Sequence, residues 1–589
     1  MKLNNMFLGG LLALTIGATA QAGTFVHITG STAFRKATVK AIENLMLTGG
    51  GGNTYSDGTA ISAGKFRAAF VGTTGANAEQ GATYIILQGN IPGCNNPVTV
   101  KGAWSGSTGG LITTKNQLDV TNTNPNGLMS VTNLAGLTET AAVGATTIVG
   151  LSSPSYASDV ADTNALKTQI TMADSLQQSA GISGLNGASN GNGTAPAGCV
   201  GIVPFEWVAN NGVTAPVKFT GCTSGSGSST ITFTSATYVP TGSAATAAQA
   251  QAVNILGGSG IARNVGVTVS ASTVSGTTSG TITLASAATS GTSGLTFVGA
   301  VSGTNPITAT STLLEQALLQ NGGTLLSQFT GNTSDAGTAV YAMGRNFDSG
   351  TRLSELAETA VGVFAGLNAQ VQPVFVGVSG TAANAYPGVF GSKGTGGGAD
   401  KYVSTLDQWS AENIFPSPYT KSYSLGQSGF NGGGDLADAM AAAGSVGALP
   451  TGGSGSSTAP FFSGLVNNEG GWLVAYLGRS DAERACKTTT GANTAHRLTY
   501  NGFSDWNGST FNADGTPASG YNNTAITEGL YPCWEYEFLY TYSGVSSDQS
   551  TVANKICKQI FDTDVTAAGI KYGDMNVSKS IEGGVITHN

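Results

Sequence analysis

The sequence predicts an α/β fold, and three observations carry that reading. Short apolar runs lead repeatedly into turns of Gly, Ser and Thr and then into helical patterns. One long, almost uncharged segment alternates apolar and polar residues instead. The chain of 589 residues is long enough to bury a large core around both kinds of element.

The first unit is TFVHITGSTAFRKATVKAIENL, from Thr24. It reads as a strand, a turn holding Gly30, Ser31 and Thr32, and a helix whose apolar face includes Phe34, Ala37, Ala41 and Leu45. KGAWSGSTGGL, from Lys101, sets Ser105, Ser107 and Thr108 among glycines, which let a backbone approach a ligand closely. QITMADSLQQSA is an extended run that ends at Asp174 and Ser175. GCVGIVPFEWVANNG has the pattern of a buried strand.

Between Lys218 and Glu315 the only charged residue is Arg263. Ile231, Phe233, Val267, Val269, Ile282, Leu284, Leu295 and Phe297 fall there into short alternating segments, so a β-rich insertion is expected over 219–311. A disordered linker is the competing reading. Helical signal resumes in TLLEQALLQNGGTLLSQF.

MGRNFDSGTRLSELAETAVGVF, from Met343, then puts Arg345 just ahead of Asp348, Ser349, Gly350 and Thr351. Leu353, Leu356, Ala360 and Phe364 follow at helical spacing, so this turn starts a helix, where unpaired backbone N–H groups and the helix dipole favour an anion. The plain alternative is an ordinary N-cap, for which Asp, Ser and Thr are common choices. VQPVFVGVSG reads as a strand and GGGDLADAMAAAG as a helix led by glycine. The aromatics of GGWLVAYLGRSDAERA and YPCWEYEFLYTY read as packing rather than a carbohydrate platform.

Composition narrows the function. A net charge of -8 argues against a nucleic-acid partner, which would select a basic face, but leaves room for a small anion held by local dipoles. The start MKLNNMFLGGLLALTIGATAQAG has the form of a signal peptide cut after Ala22, which places the mature chain in the periplasm or outside the cell. No later apolar run is long enough to span a membrane. The even set Cys94, Cys199, Cys222, Cys486, Cys533 and Cys557 reads as disulfides in such a compartment, with the pairing open. His27, His496 and His588 lie far apart, so neither a zinc site nor a Ser-His-Asp set is expected, and no cofactor is called for.

Taken in order, the hydroxyl-rich turns resemble those of the phosphate-binding protein of the bacterial ABC-type phosphate transporter, a periplasmic substrate-binding family. GSTAF from Gly30, GSTGG from Gly106, Asp174 in MADS, and Arg345 with Ser349, Gly350 and Thr351 match its motifs, the last as Arg-x-x-x-Ser-Gly-Thr. The spacing of the first three turns is longer than is usual there, and Phe347 stands where that family has an acidic residue, with Asp348 one place later.

The resemblance implies a type II periplasmic-binding-protein-like α/β fold, two lobes with a cleft, plus the β-rich insertion. Lobe 1 would take 23–198 and 471–589, and lobe 2 would take 199–218 and 312–470. The ligand implied is inorganic phosphate, held by Ser31, Thr32, Ser107, Asp174, Arg345, Ser349, Gly350 and Thr351 without catalysis, with an ABC-type membrane permease as a further partner. The residue types suit that role: Arg345 supplies charge and a donor fork, and the hydroxyls supply further donors. Asp174 would accept the proton that phosphate carries and sulfate lacks, a discrimination on the order of several kcal/mol. The alternatives are an extracellular structural or adhesive protein on the same scaffold, or a phosphate-ester hydrolase.

Overall fold

The structure is a computed structural model that describes residues 23–71, 82–124, 126–143, 155–156, 165–211, 307–321, 324–333, 335, 339–345, 348–363, 432–443, 471–487 and 495–589. It also describes the backbone of strands between 217 and 299 and of strands 372–377, 402–407 and 462–463. The signal peptide expected over 1–22, Arg263, Phe347 and Phe364 lie outside these residues.

A 13-stranded mixed sheet runs through the described chain. Its main strands are β1 (Thr24–Gly30), β2 (Phe66–Val71), β3 (Tyr84–Gly89), β4 (Val98–Ala103), β5 (Ile170–Ala173), β6 (Cys199–Asn211), β7 (Ala339–Met343), β8 (Gly471–Gly478), β9 (His496–Tyr500) and β10 (Trp534–Thr541). Across the sheet they run in the order β7-β8-β6-β10-β5-β1-β4-β3-β2, with β9 branching from β6. The principal helices are α1 (Arg35–Leu47), α2 (Ser107–Lys115), α3 (Thr312–Asn321), α4 (Gly350–Glu358), α5 (Gly433–Ala443), α6 (Arg479–Ala485) and α7 (Ser547–Asp562). The mixed sheet with its helices makes this an α/β protein.

Two parallel groups lie along the main run of that sheet. β1 pairs in parallel with both β4 and β5, and β7 pairs in parallel with β8. β6 joins the groups: its first residues pair with β10, Pro204 opposite Trp534, and its later ones with β8, Phe205 opposite Gly478 through Asn211 opposite Trp472. One uninterrupted strand therefore carries the sheet from one group to the other. β1, β4 and β5 are buried nearly throughout, as strands covered on both faces must be.

Helix packing follows the sequence. In α7, Val552, Ala553, Ile556, Cys557 and Ile560 form one buried stripe, and Ser546 and Gln549 close its start as a reciprocal capping box. α7 packs on α1, β1 and β6, while α2 packs on β1 and β5. The aromatics of β6, β8, β9 and β10 lie in the core. Phe205 stacks on Tyr476 at 5.0 Å, Trp207 meets Tyr476 at 4.9 Å, and Trp534 is wholly buried.

The stretch expected to be β-rich forms its own sheet. Among the described residues, seven strands between Val217 and Gly299 pair antiparallel with one another and with no strand of the main sheet. Ile307, wholly buried in the main core, marks where the chain rejoins it.

Several expectations are corrected. α4 ends at Glu358 rather than running through Ala360, because Ala360 takes a left-handed φ of 58° and its N–H turns back to Ala357 O. The extended run ends at Ala173, and residues 174–180 form bends and turns. The described cysteines, Cys94, Cys199, Cys486, Cys533 and Cys557, are free thiols, so no disulfide joins them. All but Cys94 are buried, and burial pushes the thiols of Cys199 and Cys486 up to about 12.

Candidate functional site

The parallel arrangement of β1, β4 and β5 brings their C-terminal ends to one edge of the sheet. Such edges are where ligands bind in open α/β sheets. Gly30 ends β1, Gly106 and Asp174 follow β4 and β5, and Gly106 N–H donates to Gly30 O at 2.9 Å. Gly106 is a glycine for two reasons: its φ is 95°, and a Cβ there would stand 2.5 Å from Asp348 O. That close approach lets the turn ahead of α4 dock on the start of α2, where Gly109 N–H donates to Asp348 O at 3.0 Å.

The two helix starts meet at Asp174. Ser107, the first residue of α2, donates its hydroxyl to Asp174 Oδ1 and accepts the Asp174 N–H at 3.2 Å. Thr351, in the first turn of α4, donates to Asp174 Oδ2 at 3.2 Å. Gly350 closes over them: a Cβ there would overlap the Asp174 carboxylate and come within 2.7 Å of Ser107 Cβ. Ser107, Asp174 and Thr351 are all buried.

Arg345 is among the largest fully buried side chains. A Cβ on Gly433, the first residue of α5, would stand 3.3 Å from its Nη1. Arg352 Nη1 donates to Arg345 O at 3.1 Å, which fixes the backbone of the motif. Burial raises the pKa of Asp174 above the ordinary carboxylate range, while the Ser107 hydroxyl and the Arg345 charge oppose that shift. Asp174 is therefore desolvated yet held within reach of a cation.

The capping alternative holds for one residue of the set. Ser349 is the N-cap of α4 and accepts from Arg352 N–H at 3.3 Å. Ser107 lies inside α2, whose N-cap is Gly106, and α1 begins at Arg35 with no side-chain cap. Ser31 instead accepts from Ala33 N–H and donates to Glu537 Oε2, both at 3.2 Å. Asp174 caps nothing, since no helix starts there. Thr32 is half-buried beside Ser31, and no hydrogen bond among the described residues ties it to the group.

Three residues at these strand ends were outside the set chosen from sequence. Thr108 and Ser175 are buried next to Ser107 and Asp174, and neither hydroxyl has a hydrogen-bond partner among the described residues. Both stand in motifs the sequence singles out. Glu537 is wholly buried on β10. Its signal was a pair of glutamates, Glu535 and Glu537, alternating with aromatics in an otherwise apolar strand. Compared with models of protein families the chain matches none, and comparison with curated proteins likewise gives no match.

Proposed function

We propose that this chain is a secreted or periplasmic binding protein that captures inorganic phosphate, or a related tetrahedral oxyanion, between two lobes without turning it over. The observation that carries the reading is the meeting of the α2 and α4 starts at a buried Asp174, within reach of the Arg345 charge. Helix N-termini, one guanidinium and the Thr108 and Ser175 hydroxyls, which have no hydrogen-bond partner among the described residues, are the donors a tetrahedral anion needs. Asp174 then has a use that a neutral cap would not, as acceptor for a proton on the ligand. β6 supports the two-lobed part of the proposal, because a single strand shared by two groups of strands can act as the connection about which they close. In this reading the bound protein is the form that a membrane permease would receive.

The test is calorimetric titration of the mature chain, freed of bound ligand by partial unfolding and refolding, with phosphate and then with sulfate. Phosphate should bind and sulfate should be rejected. Arg345→Ala should weaken phosphate binding by about tenfold or more, the loss expected for a charge-assisted hydrogen bond. No heat from either anion with a folded sample would reject the proposal. A structural or adhesive role is the second reading, favoured by the self-contained sheet between Val217 and Gly299. It predicts that surface attachment disappears when that sheet is removed.

A further inference from the structure

We infer that Glu537 is a hydrogen-bond donor of this site, working on the same ligand as the acceptor Asp174, and this rests on the oxyanion reading above. Glu537 pairs with Gly201 of β6, and the next residue, Phe538, pairs with Ala173 at the end of β5. The side chain therefore belongs to the same sheet edge as Asp174. Ser31 donates to Oε2 at 3.2 Å, whereas Oε1 has no hydrogen-bond partner among the described residues. Thr108 Oγ1 and Ser175 Oγ, in the adjoining turns, are buried and unpartnered as well. Unmet polar atoms are costly in a core, and three of them around one set of strand ends point to a polar ligand.

The two carboxyl groups are treated differently by their surroundings. Asp174 receives hydroxyls from Ser107 and Thr351, its own backbone N–H lies on the Ser107 hydroxyl, and Arg345 contributes positive charge. Among the described residues, Glu537 receives one hydroxyl and no cation. Among the described residues, the titratable groups around Glu537 are Asp174 after β5, Cys199 on β6 and Tyr540 on its own strand, and none of them favours a negative charge. Burial first, and Asp174 second, push Glu537 well above the ordinary carboxylate range.

Of the two carboxyls, Glu537 therefore holds a proton the more firmly. Because Oε2 already accepts from Ser31, the proton belongs on Oε1, which can then donate to an anionic oxygen. A ligand with a bare oxygen toward Glu537 and a protonated oxygen toward Asp174 satisfies both groups. The chemical class is a tetrahedral oxyanion that keeps at least one proton. Separating the roles of two neighbouring carboxyls by environment is a known way to obtain a donor and an acceptor from the same functional group.

The experiment is titration of the full chain, its E537Q variant and its E537L variant with inorganic phosphate, from about pH 5 to about pH 9.5. Glutamine keeps a donor at the Oε1 position and cannot ionise. E537Q should bind within about threefold of wild type at neutral pH, and wild type should lose about tenfold relative to E537Q as pH rises and Glu537 ionises. Comparison at equal pH cancels the ionisation of phosphate itself. E537L should lose about tenfold or more at neutral pH. Parallel profiles for wild type and E537Q would overturn the inference, as would wild-type affinity in a folded E537L. If E537L does not fold, the two remaining profiles decide. A wild-type chain that binds no phosphate at any pH overturns the oxyanion reading, and this inference with it.

Discussion

At the scale of single residues, Gly350 bears the sharpest constraint. It lies in the first turn of α4, where alanine would suit the backbone, so its absent side chain serves the space around Asp174. Gly350→Ala should push Ser107 away from the carboxylate and destabilise the fold by about 1–3 kcal/mol, the usual cost of overpacking. Denaturant titration measures the destabilisation, and phosphate titration should show weaker binding as well. The residues around this glycine were legible as hydroxyl turns, since Gly, Ser and Thr after an apolar run leave a local signature. Glu537 was not, because its role comes from a strand pairing with residues hundreds of positions away. Nor could sequence tell whether Ser107 and Ser31 cap their helices, a distinction set by where each helix begins.

At the scale of elements, the sheet between Val217 and Gly299 behaves as a separable unit, because its strands pair only among themselves. Replacing residues 217–306 with a short flexible linker should leave the main transition in a thermal melt, and phosphate affinity should change little. Extending the deletion past Ile307 should not be tolerated, since Ile307 is in the core and Ala309 and Thr310 pair with β9.

A second element is the segment after Met575. Lys579 is buried, bonds Glu358 at the end of α4, and donates to Pro532 O at 2.6 Å and Trp534 O at 2.8 Å, with Glu535 at 3.8 Å. Three residues on, Glu582 accepts from Leu176 N–H and the Ser179 hydroxyl, just after Asp174. Lys579→Met should cost about 3–5 kcal/mol, because it leaves buried carboxyls without their cation. Urea denaturation provides the value, and an unchanged midpoint would remove the segment from the stability of the fold. The strands and helices around these contacts were readable from periodicity. β2 and β3 were not, because neither precedes a turn that draws attention to itself.

At the scale of the whole molecule, buried acids dominate the response to pH. Glu315 is pushed up to about 8 by burial, with Glu355 adding to the shift and the Thr310 hydroxyl opposing it. Glu535, Glu537 and Glu582 are raised too, in each case chiefly by burial. A raised carboxyl holds its proton in the folded chain after the unfolded chain has released it. Stability contributed by these groups is therefore present below the ordinary carboxylate range and declines as pH rises from there through the folded values, near 8 for Glu315. Asp57 and Glu139, lowered in part by hydrogen bonds, act in the opposite sense and only on the acid side. Thermal melts should show a higher midpoint in mildly acid than in alkaline buffer. Glu315→Gln should narrow that gap, and a midpoint that rises with pH would contradict the account.

The segment carrying Lys579 and Glu582 also sets an order of events. The site draws on Ser31 near one end of the described chain, while Glu582 braces the loop after Asp174 from 403 positions beyond Ser179. A ribosome must therefore have passed residue 582 before this brace can form. Until then the loop after Asp174 lacks this support, although Ser107 and Thr351 already reach the Asp174 carboxylate. On the proposed reading, a chain cut before residue 582 should bind phosphate more weakly than the full chain, because the loop after Asp174 loses its brace.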